Sequence, residues 1–215
     1  MSVANNIAAI RTHIPAGVTL LCVSKFHPVE MIAEAYRAGE RDFGESHVQE
    51  LLKKHDLLPK DIRWHMIGHL QTNKVRAIVP FVFLIHSVDS LRLLETIQRE
   101  AARINRVVNV LLEVHVAREE TKSGFLPGEL QTLLDSGVLA QMPYIHVEGI
   151  MGMATNTDDT AEIQRCFDTL SAIYHTHPEW NTLSMGMSED YLQAIASGST
   201  MVRIGSAIFG ERQYG

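Results

Sequence analysis

Apolar positions along this chain come in short runs, and between the runs lie stretches whose apolar residues recur at helical spacing. Residues 5 to 14 read as an amphipathic opening helix. "VTLLCVSK" then reads as a strand, and "PVEMIAEAYRAG" as a helix with Pro28 in its first turn and Gly39 at its end. The alternation continues through "RDFGES" and "HVQELLKKH", then "IRWHMIG" and "TNKVRAIV". "VFLIHSVD" precedes a long helix at 91 to 104, capped by Ser90. "RVVNVLLEVHV", β-branched and apolar, is the plainest strand, and "PGELQTLLDSG" is the helix after it. "YIHVEGIMGM" leads to a helix at 158 to 174, opened by Asp158 and Asp159, whose charges suit a helix N-terminus. "TLSMGM", the helix "EDYLQAIASG" and a last strand "TMVRIGSAIFG" complete the series.

This makes about eight strand-then-helix units of crossover length, with no linker between them. Such alternation implies a parallel sheet covered by helices. Eight units favour closure into a (β/α)8 barrel, here one domain over 1–215 with an extra N-terminal helix. The competing open, doubly wound sheet is weakened because no Gly-rich dinucleotide fingerprint follows any strand.

Composition narrows the partners. With 46% hydrophobic and 20% charged residues, a core of ordinary size can be filled. A formal net charge of -6 argues against nucleic acid or an anionic membrane as the main partner, since both call for a basic footprint. Cys22 and Cys166 have no metal-type spacing and read as core thiols. No signal peptide or membrane-length apolar run is visible, so the expected location is the cytoplasm.

In a barrel of this kind the reactive face is built from the C-terminal strand ends, and the unusual residues gather there. "LLCVSKFHP" is an apolar run that stops at Lys25. That lysine either reaches solvent as the strand exits or does chemistry, because an ammonium at a core boundary is costly without a partner. Ser46 ends the second strand, His69 the third, Met153 the sixth and Ser188 the seventh. Arg203, Gly205 and Ser206 lie in the eighth strand and its exit. Gly186, Gly205 and Gly210 interrupt strand patterns, as glycine does where a backbone must approach a ligand or pack at the rim. A lysine, an arginine and a set of neutral donors where such barrels hold phosphate together suggest pyridoxal 5'-phosphate (PLP). Facing Arg203, the pyridine nitrogen stays unprotonated, which makes the ring a weak electron sink.

The segments "VSKFHP", "FGESHVQE", "WHMIGHLQTNK", "HSVDS", "KSGF", "GIMGMAT" and "LSMGMSEDYLQAIASGSTMVRIGSAIFG" together resemble the pyridoxal phosphate homeostasis protein family, PLP-binding barrels of the alanine racemase type. The resemblance runs in one order from about residue 5 to the C-terminus. It implies that Lys25 is the lysine bound to PLP as an aldimine and that Arg203 is the partner of the ring nitrogen. It makes Ser188, Gly205 and Ser206 the phosphate cup, with Met187 and Ile67 lining the ring pocket. Position 46 is Ser in "FGES" where the family usually has Asn, and the shorter side chain bears on PLP affinity or imine geometry. Ser206 stands where many relatives have Thr and keeps the hydroxyl.

The implied function is buffering and delivery of PLP inside the cell, without strong catalysis, by a monomer that passes PLP transiently to apo PLP-dependent enzymes. The alternative is a PLP-dependent amino-acid racemase. Racemases of this type carry an additional β-domain and take a tyrosine from the partner subunit, whereas this sequence ends at Gly215, just after the eighth strand. No tyrosine falls in a strand-end motif either: Tyr36, Tyr144, Tyr174 and Tyr191 sit in helix or strand-start patterns and Tyr214 in the tail. A barrel for some other phosphorylated metabolite is the remaining reading.

Other candidates carry less. His65 and His69 have a zinc spacing only if helical, and Gly68 between them argues for strand and turn. "KSGF" at 122–125 is either a lid or an ordinary turn. Glu113 and His115 share one face of the fifth strand as candidate interior polar residues.

Overall fold

The apolar runs form strands because both of their faces are buried, one against the helices and the other against the opposite wall. In the computed structural model, which describes residues 2–119 and 121–210, the strands are β1 (Thr19–Val23), β2 (Asp42–Glu45), β3 (Arg63–Met66), β4 (Leu84–Val88), β5 (Val108–Val114), β6 (Ile145–Gly152), β7 (Thr182–Ser184) and β8 (Met201–Ile204). They pair in parallel in chain order, and β8 returns to β1 to close a barrel. The expected fold is therefore the observed one.

The helices are α1 (Val3–Arg11), α2 (Val29–Arg37), α3 (Val48–Leu57), α4 (Val75–Ile78), α5 (Leu91–Arg103), α6 (Pro127–Asp135), α7 (Thr160–His175), α8 (Tyr191–Ala196) and α9 (Ser206–Phe209). α1 is the expected extra N-terminal helix; Ser2 caps it by accepting from the Asn5 N–H. Ser90 caps α5, and Asp159 caps α7 by accepting from the Ala161 and Glu162 N–H groups.

One expectation needs correction. The run "TMVRIGSAIFG" reads as a single strand, but β8 stops at Ile204 and α9 begins at Ser206. The reason is tertiary. Asn6 of α1 donates to the Ile208 carbonyl at 2.9 Å, and Ile208 and Phe209 are buried, so this segment packs as one helical turn beside α1.

Alternation along the strands divides the core in two. Leu20 and Cys22 belong to the large layer between barrel and helices, while Leu21 belongs to a small inner cluster with Leu84, Leu111, Met151 and Met201. The inner cluster is small because other interior positions are polar: His65, His86, Ser184, Glu113 and Arg203 are all buried. Cys22 and Cys166 are buried free thiols, and burial pushes Cys22 well above its ordinary pKa. β6 carries the main irregularity. Its register with β5 shifts after Val110, at Gly149, whose φ of +150° and closeness to the Thr182 carbonyl leave no room for a Cβ.

Candidate functional site

Lys25 lies in the turn that follows β1, one residue past Ser24, whose N–H still pairs with Gly44 of β2 at 3.0 Å. That turn is held from α3. Lys54 Nζ donates to the Ser24 carbonyl at 2.7 Å, and the Phe26 N–H donates to Glu50 Oε1 at 2.6 Å. The Ser24 hydroxyl donates to Glu45 Oε1 at 2.6 Å, and the His27 ring stacks on Phe209 of α9 at 5.1 Å. Phe26 takes a φ of +66°, a conformation a bulky residue keeps only under such restraint. Lys25 is thus carried on a fixed backbone, half-buried, with neighbours tied on both sides. A groove of about 670 Å³ opens beside the turn, but Phe26, His27, Met31, Leu57 and Phe209 wall it, and Lys25 does not.

Arg203 sits on β8 in register with Leu21 of β1 and is 5% exposed. Its Nη1 donates to the Ser184 carbonyl and hydroxyl, each at 2.8 Å, and Nη2 donates to the Gly152 carbonyl at 3.1 Å. The guanidinium therefore spans from β8 across β7 to the end of β6. Desolvation lowers its pKa to about 10, opposed by the charges of Asp190 and Glu113, so it remains cationic at neutral pH.

The residues expected to hold phosphate fall together in part. The Gly205 N–H donates to Ser188 Oγ at 3.3 Å, joining the exits of β7 and β8. Gly186 reaches this corner with a φ of +92°, and a Cβ there would lie 2.5 Å from the Ala194 Cβ. Ser206 opens α9 directly after Gly205 and is exposed. Ile67 follows β3 and packs on the inner cluster beside Leu21. Met187 is 40% exposed and contributes its N–H to Asp190 at 2.6 Å, so it stands at the rim and not in the interior. Ser46 follows β2, half-buried, with its carbonyl pressed against Gly68.

The remaining candidates resolve simply. His65 lies on β3, fully buried, and His69 is exposed and bonded to Asp89 at 3.0 Å; among the described residues no cluster suits a metal. The "KSGF" segment is a tied-down turn. Phe125 exchanges backbone hydrogen bonds with Glu113 and His115 of the β5 run, and Lys122 Nζ donates to the Ala154 carbonyl at 2.6 Å. Glu113 is indeed interior, and burial, aided by Asp89, pushes its carboxyl up to about 7. His115 instead bonds the Lys122 and Ala117 carbonyls.

Sequence reasoning missed Lys54, Asp42, His86 and Ser184. Lys54 reads as one more charge on an amphipathic helix, and only its 4% exposure marks it. His86 and Ser184 do leave a signal, polar residues inside the strand runs "FLIHSV" and "TLSMGM".

Residues 1–213 match the family described as alanine racemase, N-terminal domain. A pyridoxal phosphate homeostasis protein of Aquifex aeolicus is 41% identical over 91% of this chain and 87% of its own length. One of Pseudomonas aeruginosa is 37% identical over 100% of this chain and 97% of its own length. Among solved structures, PipY of Synechococcus elongatus with PLP bound is 36% identical with a TM-score of 0.86, covering 97% of this chain and 100% of PipY. Alanine racemase of E. faecalis has a TM-score of 0.82 at 17% identity; this chain covers 57% of it, and the likeness is one of fold.

Proposed function

This chain belongs to the alanine racemase N-terminal domain family, and from that premise we propose that it binds PLP at the barrel mouth and holds it for storage and delivery. The observation that carries the reading is the placement of three complementary groups on three adjacent strands. An amine follows β1, a guanidinium lies on β8, and a hydroxyl and an amide meet where β7 and β8 exit. PLP offers an aldehyde, a ring nitrogen and a phosphate, and supplies carbonyl chemistry toward amines when bound.

The residues present fit that group. Lys25 Nζ is the point of covalent attachment, on a backbone that Lys54 and Glu50 keep still. Bonds to Ser184 and Gly152 use three donors of Arg203. Among the described residues this leaves the Nε–H and one Nη2–H for an unprotonated ring nitrogen. Ser188, Gly205 and Ser206 receive the phosphate, Ile67 bears on the ring, Met187 borders it from the rim, and Ser46 lies across the mouth. The unit acts as one PLP-binding domain, a cytoplasmic monomer whose transient partners are apo PLP-dependent enzymes.

Turnover is not its task in this reading. A guanidinium cannot hand the ring a proton, so carbanion chemistry at a substrate has little support. The curated relatives bear the name of homeostasis proteins. No described tyrosine follows a strand directly; Tyr36 bonds Asp61 and Tyr174 bonds the Trp180 carbonyl. Mixing the PLP-loaded protein with an apo PLP enzyme, and separately with L-alanine, tests the reading. Activation of the apo enzyme without racemisation is expected; racemisation at enzymatic rates that Lys25→Ala abolishes would overturn it.

A further inference from the structure

The buried polar residues inside the barrel are joined end to end. Arg203 Nη1 donates to Ser184 Oγ at 2.8 Å, so the hydroxyl proton of Ser184 must go elsewhere. Its other neighbour is His86 Nδ1 at 3.2 Å, placed to accept that proton. Burial pushes the His86 imidazole well below its ordinary pKa, with His65 and Arg203 acting in the same direction, so the ring is neutral. A neutral ring that accepts at Nδ1 carries its proton on Nε2. That nitrogen faces His65 Nδ1 at 2.9 Å, and His65 Nε2 faces Asp42 Oδ1 at 3.1 Å. Burial alone would raise the Asp42 carboxyl, but hydrogen bonds from Arg63 and His65 outweigh it and bring it to about 2. Arg63 anchors that carboxylate through contacts of 2.6 and 2.5 Å.

We propose that Asp42, His65, His86 and Ser184 form a one-way hydrogen-bond chain through the barrel interior that orients the Arg203 guanidinium toward its acceptor at the mouth. They are positioning residues. The identity of that acceptor, the pyridine nitrogen, rests on the function proposed above; the chain itself does not. Reversing one ring would set two donors or two acceptors face to face within a desolvated interior, so the orientation at Asp42 and that at Arg203 are linked. Packing does not demand these residues, because well-packed apolar side chains commonly replace buried polar ones at no loss of stability.

Two measurements test it. Nitrogen-15 NMR of the histidine-labelled, ligand-free protein reads both tautomers, and His65 and His86 are expected as Nε2–H. An Nδ1–H form at either ring overturns the chain. In the second, the parent, Ser184→Ala and Asp42→Asn are titrated with PLP and with its 1-deaza analogue, in which carbon replaces the ring nitrogen. The parent is expected to prefer PLP, and both variants to lose about tenfold of that preference, as for one charge-assisted hydrogen bond. Affinity for the analogue should hold. Equal losses for both ligands, or an unchanged preference, overturn the positioning role. A parent without preference would instead sink the assignment of Arg203 to the ring nitrogen, and the tautomers alone would then decide the chain. Should Asp42→Asn fail to fold, Ser184→Ala carries the titration.

Discussion

Lys54 Nζ stands 2.8 Å from Glu45 Oε1, with the two side chains 5% and 0% exposed. The same ammonium holds the Ser24 carbonyl and Glu50, so a buried ion pair and the backbone ahead of Lys25 share one donor. Burial nevertheless pushes the Glu45 carboxyl up to about 7, against the pull of Lys54, and among the described residues the buried Glu45 Oε2 has no hydrogen-bond partner.

Lys54→Met is therefore expected to destabilise the fold by about 3 kcal/mol, the scale for stranding one member of a buried pair. The loss should be smaller at pH 5 than at pH 8, because at pH 5 Glu45 is protonated and its orphaned oxygen carries no charge. Urea unfolding at both pH values checks this, and adding Glu45→Gln should recover part of the loss at pH 8. Equal losses at the two pH values would remove Glu45 from the account.

Glu113 has a pH signature of its own. Its folded pKa, about 7, lies above the ordinary 4.5, so the folded protein binds the proton more tightly than the unfolded chain does. The stability this contributes is complete below about pH 4.5 and is lost as pH rises through 7. Glu113→Gln should match the parent near pH 5 and exceed it by up to about 3 kcal/mol near pH 8, read from thermal unfolding of ligand-free protein. A constant difference across that range would rule out the carboxyl as the source.

Borohydride reduction of the PLP-loaded protein, followed by peptide mapping, is expected to place the label on Lys25. Lys25→Ala should lose the covalent label and keep residual PLP through the phosphate contacts. A label on Lys54, Lys74 or Lys122 would displace the assignment.

Ser188→Ala removes the hydroxyl that the Gly205 N–H now meets. Loss of one hydrogen bond to a charged group costs roughly 1.5 to 3 kcal/mol, so PLP affinity should fall by about one to two orders of magnitude. Unfolding midpoints should stay close to the parent's, since Ser188 is only half-buried. Unchanged affinity would mean that phosphate is held elsewhere.

The alternation of strand and helix, the closed barrel and the positions of Lys25, Arg203, Ser188 and Gly205 at strand ends were all legible in the order of residues. Periodicity and strand ends are local properties, and a parallel barrel turns each strand end into a place on one face. The end of β8 was not legible, because "VRIGSAIFG" suits a strand until α1 packs against Ile208 and Phe209 and selects the helix. Nor was the exposure of Met187, which depends on how Asp190 holds its backbone. Lys54 is the clearest case. On the chain it is one charge among several in "ELLKKH", and only the approach of α3 to the exits of β1 and β2 encloses it beside Glu45 and the Ser24 carbonyl. The chain from Asp42 to Arg203 likewise joins residues on five strands, up to 98 positions apart at the His86–Ser184 link. The sequence determined that an amine, a guanidinium and neutral donors fall near the C-terminal ends of strands, because residue type and local period settle that. Which of them touch was decided by closure of the barrel, since hydrogen-bond partners inside it are set by register between strands and not by spacing along one.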